Sequence, residues 1–406
     1  MPPPLWHQRE FMLLWSSQVI TTLGASAASI IYPLLILALT GSPALAGGAS
    51  ALRMAPYLLL SLPVGALIDR WNRRRVMVVC HLGRALVVCT LPLAMLLGTL
   101  HVEHIYAVAV MEGALHVFFN IAETAALPRV VSGAQLPQAT GQNQAGFAAA
   151  LIAGPALGTT LYQAAGRALP FVVDVVAHVV GALVLWRMRT DFRPAPPRAR
   201  PNLRAEVAEG LRWLLNQRLV RDMALITSVS NFVSAALPLM LIVRAKELGA
   251  SESQIGLAFS LGGVGAIAGA LLGGHIQRRF GFGQVIIGVL FIQALLLPML
   301  LLCPGPLWLG AVFAGLMLMG PVYNVVQFAY RIALIPDALQ GRVNSSFRLV
   351  AHGLHPVGAL LCGWLLEHSG SASTVLVFTL CALAAAAGAA LDKVVRQAPR
   401  TQHRPQ

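Results

Sequence analysis

Apolar stretches of roughly twenty residues, separated by short clusters of Arg, Gly and Pro, recur along the chain from Phe11 to Leu391. At about 1.5 Å per residue, a run of about eighteen or more apolar residues crosses a hydrocarbon core of about 30 Å. Cutting at the charged or Gly/Pro-rich breaks gives spans at about 11–39, 44–68, 76–98, 105–127, 138–162 and 169–188. Six more follow at about 222–243, 253–277, 284–303, 307–334, 343–366 and 372–391. The pattern predicts an all-α membrane protein with twelve transmembrane helices in two six-helix bundles, 1–188 and 222–406, the second carrying a cytoplasmic tail. Between them, 189–221 reads as a cytoplasmic linker. In it Leu203, Val207, Leu211, Leu214 and Leu215 recur at helical spacing opposite Arg204, Glu206 and Arg212, which predicts an amphipathic helix on the membrane surface.

The halves echo one another at an offset of about 208 residues: GALIDRWNRR from Gly65 aligns with GGHIQRRFGF from Gly273, and Pro128 with Pro336. Each falls at the same end of the corresponding span, as expected for parallel six-helix repeats.

Composition narrows the class. Hydrophobic residues make up 57% of the 406 and charged residues 11%, against about a quarter charged in a soluble domain. A net charge of +14 would suit a nucleic-acid partner, but the basic residues lie in short tracts between apolar runs, so they read as topology and no nucleic acid is expected. Arg70, Arg73, Arg74 and Arg75, then Arg129, the central Arg cluster, Arg278, Arg279, Arg342 and the tail from Lys393 fall on one side. The other receives Arg167, Arg244 and Lys246, the last two offset by Glu247 and Glu252. By the positive-inside rule both termini are cytoplasmic, in a cell inner membrane. The start, MPPPLWHQREFMLL, lacks a basic n-region and a cleavage site, so the first span reads as a retained helix.

Cys80, Cys89, Cys303, Cys362 and Cys381 stand apart in apolar context, which predicts neither a disulfide framework nor a metal site, and no cofactor is expected. A phosphate-cradling GxxxxGK loop is missing, since Lys246 follows Ala245 and Lys393 follows Asp392. His101-Val-Glu103-His104 has the wrong spacing for a zinc hydrolase. No enzyme is expected.

Charges inside spans point to mechanism, because each costs roughly 2.5–3.5 kcal/mol at a helix centre and needs a partner or a task. Residue counting places Arg53, Glu112 and Asp174 in the outer half of the bilayer and Arg84 and Glu123 nearer the cytoplasm, all in the first bundle. These five are the proton-coupling candidates. A structural ion pair between Asp174 and Arg53 is expected.

Several motifs carry a family resemblance. Gly65-Ala-Leu-Ile-Asp69-Arg70-Trp-Asn-Arg73-Arg74-Arg75 resembles the signature loop of the major facilitator superfamily, and GFAAALIAGPALG, with Gly154, Pro155 and Gly158, resembles its antiporter motif. RAEVAEGLRWLL, PFVVDVVAHVV and the stretch from Ile335 to Gly370 are similar to the subfamily of macrolide-efflux and enterobactin-exporter-like proteins. Physically, Gly65 permits close helix approach, and Asp69 can pair with Arg70 or Arg73 or cap a neighbouring helix; positive-inside sorting accounts for the arginines alone. Gly154-Pro155 interrupts backbone hydrogen bonding and permits tight packing or bending.

The resemblance implies two bundles around a central cavity exchanging access by rocking, a gating role for the signature loop, and export. It makes Glu112 the leading protonation candidate, since fourth helices line the cavity in this superfamily. Many of its drug-proton antiporters also carry an Arg in that helix, where MEGALHVFFNIAETAALP has none before Arg129; either Arg84 substitutes or coupling differs. By helix position the cavity candidates are Gln18, Thr21, Ser29, His116, Asn120, Asn231, Tyr323, Asn324 and Gln327, with interhelical hydrogen bonding as the competing role. Tyr32, Tyr57, Phe118, Phe119 and Phe328 are candidates for apolar wall. His352 and His355 are either pH sensors or packing residues. The expected function is proton-coupled export of an amphipathic small molecule, such as a siderophore, secondary metabolite or drug, by a monomer in the bilayer. Import of a small solute, or a receptor without flux, is the alternative.

Overall fold

The computed structural model describes residues 4–68, 70–190, 192, 203–336 and 339–398, and among these every regular element is a helix. In lipid only a helix or a closed barrel satisfies every backbone N–H and C=O internally, and these apolar runs take the first course. The chain divides into two compact units, Met1–Ala199 and Arg200–Gln406. In the first, α1 (Arg9–Ser29) and α2 (Ile31–Thr40) make one span, followed by α3 (Pro43–Ile68), α4 (Arg73–Leu96), α5 (Val102–Val130), α6 (Leu136–Ala165) and α7 (Leu169–Trp186). The second holds α8 (Leu203–Asn216), α9 (Arg218–Glu247), α10 (Glu252–Arg279), α11 (Phe282–Leu302), α12 (Pro306–Leu334), α13 (Gln340–Gly353), α14 (His355–Leu391) and α15 (Lys393–Arg396).

Ten segments among the described residues are long and apolar enough to cross a membrane. One of them, Arg342–Leu391, has 50 residues, about 75 Å of helix, and one crossing needs about 30 Å. It breaks at Gly370, whose φ of 74° leaves the helical region, a conformation glycine adopts without a Cβ penalty. Two crossings result, and the 26 residues of α3 supply another, giving the twelve the apolar pattern predicts. The first span breaks between Ser29 and Ile31 because Pro33 donates no backbone N–H and crowds the carbonyl four residues earlier.

The two units pair their helices in the same order. In the first, α3 packs on α5, α4 on α5 and α7, and α1 on α6 and α7. In the second, α10 packs on α12, α11 on α12 and α14, and α9 on α14. The α10–α12 contact is the tightest: a Cβ at Gly265 would lie 2.0 Å from the Ala314 carbonyl oxygen, and one at Gly269 2.1 Å from that of Leu318. Glycines four apart form one smooth face, and dispersion between close backbones replaces the hydrophobic drive that lipid cannot supply. The amphipathic helix α8 lies against α13 and α9, with Leu214 buried and Glu209 paired to Arg342 at 2.6 Å.

Candidate functional site

The first unit encloses a cluster of ions. Glu112 on α5 is 1% exposed, and its Oε1 accepts from Arg53 Nη2 of α3 at 2.9 Å and from Arg84 Nη2 of α4 at 2.8 Å. Its Oε2 accepts from the Tyr32 hydroxyl of α2 at 2.9 Å. The Arg53 guanidinium also lies 5.4 Å from the Tyr32 ring centroid, and that ring meets Phe171 of α7 edge-on at 5.2 Å. The helices close tightly here because Gly113 has no side chain: a Cβ would lie 2.3 Å from the Arg53 carbonyl oxygen. Arg84 is as deeply buried as Glu112, while Arg53 keeps 30% of its side chain exposed. Charge-assisted bonds of this length offset desolvation only where both partners are held in place, and here four helices hold them.

The cluster assembles three of the five intramembrane candidates and corrects two expectations. Arg53 pairs with Glu112 and not with Asp174, because α3 and α5 meet at Gly113. Arg84 reaches the same carboxylate although residue counting puts it in a deeper layer, since the long stem of Arg carries its charge away from its Cα. Asp174, on α7, is fully buried, and among the described residues no side chain or backbone group donates a hydrogen bond to either carboxylate oxygen. Its ionisable neighbour is His178, one turn on, with Nε2 3.4 Å from Oδ1. Glu123 is buried on α5 away from this group, with Oε1 lacking a hydrogen-bond partner among the described residues.

The signature-loop arginines act on helix ends. Arg73 Nη1 donates to the Ala125 carbonyl of α5 at 2.8 Å, and Arg74 donates through Nε to Leu185 of α7 at 3.1 Å and through Nη2 to the Trp186 carbonyl. Cationic donors near helix C-termini complement the helix dipole, and Leu185 and Trp186 are among the last four carbonyls of α7. Arg70 is exposed and Asp69 lies outside the described residues; among those, a Cβ at half-buried Gly65 would meet nothing within 4 Å, so the close helix approach expected there is not made. Arg74 and Arg75 line a cleft of about 740 Å3 with Asn72, Trp186, Arg189 and Thr190.

In α6, Gly154 and Gly158 pack against α1 of the same unit: added Cβ atoms would lie 2.4 Å from Ser26 Cβ and 2.1 Å from the Ala27 carbonyl oxygen. The helix runs on through Pro155, whose carbonyl accepts from the Thr159 hydroxyl at 2.9 Å.

The cavity candidates divide. Asn120 and Asn324 are exposed, and Gln18 is half-buried with an unbonded Oε1. Asn231 donates to the Ala351 carbonyl at 2.8 Å, Tyr323 pairs with the Thr227 hydroxyl at 2.8 Å, and Gln327 is buried with Nε2 unbonded. Two candidates are core residues instead. The Thr21 hydroxyl closes on the Ser17 carbonyl of its own helix, and Phe119 is buried against His81 with ring centroids 4.3 Å apart. Sequence reasoning overlooked His81 and His178, whose Nδ1 atoms lie 3.1 Å apart in the same interior. It also overlooked Arg331, buried over the Phe347 ring at 3.9 Å. The four-residue spacing of Asp174 and His178 on one helix face was the available signal.

The sequence profile of the Major Facilitator Superfamily matches residues 14–348 and 223–406. The chain is 26% identical to the multidrug efflux pump Tap of Mycolicibacterium fortuitum over 378 residues, 88% of this chain and 89% of that protein. It is 23% identical to macrolide efflux protein A of Streptococcus pyogenes over 370 residues, 89% and 90% of the two chains. The crystal structure of the nucleoside transporter NupG shares the fold with a TM-score of 0.76 at 11% identity, covering 94% of this chain and 98% of that one. A bacterial homologue of the iron transporter ferroportin does so with a TM-score of 0.72 at 15% identity, covering 95% and 100%.

Proposed function

The chain belongs to the Major Facilitator Superfamily of membrane transporters, and from that premise we propose that it exports an amphipathic small molecule in exchange for protons. The observation that carries the reading is the extent of the likeness to proteins named as efflux pumps, which runs over about nine-tenths of each chain. A macrolide-like drug, a secondary metabolite and a siderophore all belong to the substrate class. The buried ions of the first unit support proton coupling, because carboxylates are kept there at a cost of a few kcal/mol that packing alone does not repay. The placement of Arg and Lys supports an inner-membrane monomer with both termini in the cytoplasm.

The test uses purified full-length protein in lipid vesicles, selected for outward-facing cytoplasmic ends, with radiolabelled erythromycin as the probe. Export by proton exchange gives accumulation when the lumen is acidic, abolished by nigericin. Accumulation only under the reverse gradient supports import, and binding without accumulation under any gradient supports a receptor. Cysteines placed at Ser42 and at Arg198, the latter outside the described residues, are expected to react from opposite membrane faces.

A further inference from the structure

Behind the Glu112 cluster lies a second set of polar groups that the proposed export does not by itself use. Asp174 and His178 on α7, His81 on α4 and Ser17 on α1 have no exposed surface. They follow one another at short range. His178 Nε2 is 3.4 Å from Asp174 Oδ1, near but not hydrogen-bonded, His178 Nδ1 is 3.1 Å from His81 Nδ1, and His81 Nε2 is 3.5 Å from Ser17 Oγ. The Ser17 hydroxyl donates to the Gly181 carbonyl at 3.1 Å, which leaves its lone pairs to accept from His81. Two glycines make the room: a Cβ at Gly24 would lie 3.0 Å from Asp174 Oδ1, and one at Gly181 3.2 Å from Ser17 Oγ.

We propose that Asp174, His178, His81 and Ser17 form a proton relay through the first unit, with Asp174 as the group that loads. The inference rests on the proton-coupled reading above and names the groups that would serve it. Two nitrogens 3.1 Å apart form a hydrogen bond only if one carries the proton, so the tautomers of both rings are linked. In the loaded state Asp174 is protonated on Oδ1, His178 on Nδ1 and His81 on Nε2. On discharge the Oδ1–H bond breaks as His178 Nε2 gains a proton, and the His178 Nδ1–H bond breaks as His81 Nδ1 gains one. The His81 Nε2–H bond then breaks as Ser17 Oγ gains that proton, and the Ser17 hydroxyl releases its own to a water molecule admitted from the cytoplasmic end when the unit opens to that side. One proton departs, Asp174 becomes a carboxylate, and each imidazole stays neutral in its other tautomer. The rings turn over before the next loading.

Direction follows from the helix ends. His178 lies eight residues before Trp186, His81 eight after Arg73 and Ser17 eight after Arg9. Hydrogen bonds from Arg74 to Trp186 and from Arg9 to Arg187 place those three ends together. At about 1.5 Å per residue the relay stops about 12 Å short of that end, with Asp174 about 6 Å farther in. That end carries the arginines assigned to the cytoplasm. Glu112 is unsuited to load, because two guanidinium groups and a phenol already hold its oxygens. Its role is to set the field around Asp174, to which Arg53 of α3 and Arg84 of α4 contribute as well. The two imidazoles face Arg84 from α4 and His116 from α5, with Glu112 also acting on His178. Of the other helices packed on α7, α1 carries Arg9 and Glu10 in its first turn, about two turns from Ser17, and α6 has no Asp, Glu, Lys, Arg or His.

The test compares wild type with Asp174→Asn, His178→Gln and His81→Gln in the same vesicles. Accumulation of erythromycin driven by an acidic lumen is expected to be lost in all three, while exchange of labelled for unlabelled erythromycin at equal pH remains measurable. Wild-type accumulation with an unchanged pH profile in both His variants overturns the relay. If wild type accumulates erythromycin under neither gradient, the export reading fails for this probe, and infrared difference spectra over a pH titration still decide the relay. A protonated-carboxyl band removed by Asp174→Asn, rising together with an imidazole tautomer change that His81→Gln abolishes, supports it. A carboxyl band indifferent to Asp174→Asn overturns it.

Discussion

The same helix contact is made in two ways in this molecule. In the first unit α3 meets α5 beside Gly113, and the contact carries the Arg53–Glu112 pair with Arg84 and Tyr32 gathered on the same carboxylate. In the second unit α10 meets α12 along Gly265 and Gly269, and the contact is backbone against backbone. Among the described residues the buried polar side chains of the first unit include Glu112, Glu123, Asp174, Arg84 and two histidines, whereas those of the second are hydroxyls, amides and Arg331. The repeat thus keeps the packing order and concentrates acid-base chemistry in one copy. Small residues supply what a membrane bundle needs to cohere; the ions of the first copy are surplus to that need, which is why the proposed coupling is assigned to them.

The sharpest way to break the contrast is to remove the shared carboxylate. Glu112→Ala leaves two guanidinium groups without a counter-charge in the interior and is expected to cost about 3–5 kcal/mol. A thermal scan in detergent checks it, and a midpoint within a degree or two of wild type would mean that the cluster is solvated and not structural. Glu112→Gln retains an acceptor but not the charge, so it too should lower the midpoint. Next in size is Gly269→Leu in the second unit. There the clash is with a backbone carbonyl that cannot turn aside, and overpacking of this kind costs about 1–3 kcal/mol. The same scan should show a loss smaller than that of Glu112→Ala, since α10 and α12 can separate slightly without stranding a charge.

Legibility in the sequence follows the same division. All twelve spans and the six-plus-six order can be read from apolar length and from the arginines between the runs, because lipid leaves the backbone so few alternatives. Helix ends run past the apolar limits: α5 covers Val102–Val130 where the pattern gives 105–127, since Glu103 and Arg129 extend the helix into the interfacial layer. The first-unit acids and arginines were visible as charges out of place. Their partners were not, because a one-dimensional count of depth ignores tilt and side-chain reach, and so set Arg84 apart from Glu112. His81 and His178 lie 97 positions apart, and nothing in either segment alone indicates that α4 and α7 bring them within hydrogen-bond distance.

Arg331 offers a milder test from the second unit. It lies over Phe347, with Nε unbonded, and forms no ion pair with a carboxylate among the described residues. Arg331→Met removes a cation–π contact worth about 2 kcal/mol when desolvated and also relieves a buried charge. Its net cost is therefore expected to fall well below that of Glu112→Ala, by the same thermal scan. A loss as large would show that Arg331 is one end of an ion pair and that the second unit has its own charged interior.

The smallest effect is expected where the two units should agree. Asn72 accepts from the Arg75 backbone N–H at 3.2 Å to start α4, and Ser251 accepts from that of Gln254 at 3.3 Å to start α10. Each satisfies one of the orphan donors of a helix N-terminus, and replacing such a cap with Ala costs about 1 kcal/mol. Neither cap touches the buried ions, so Asn72→Ala and Ser251→Ala should lower the midpoint by similar small amounts. The units would then differ in their interiors and not in how their helices begin. A much larger loss for Asn72→Ala would place the start of α4 in the same cooperative unit as Arg73 and Arg74, which hold the ends of α5 and α7. The contrast between the copies would then extend from the ion cluster to the membrane surface.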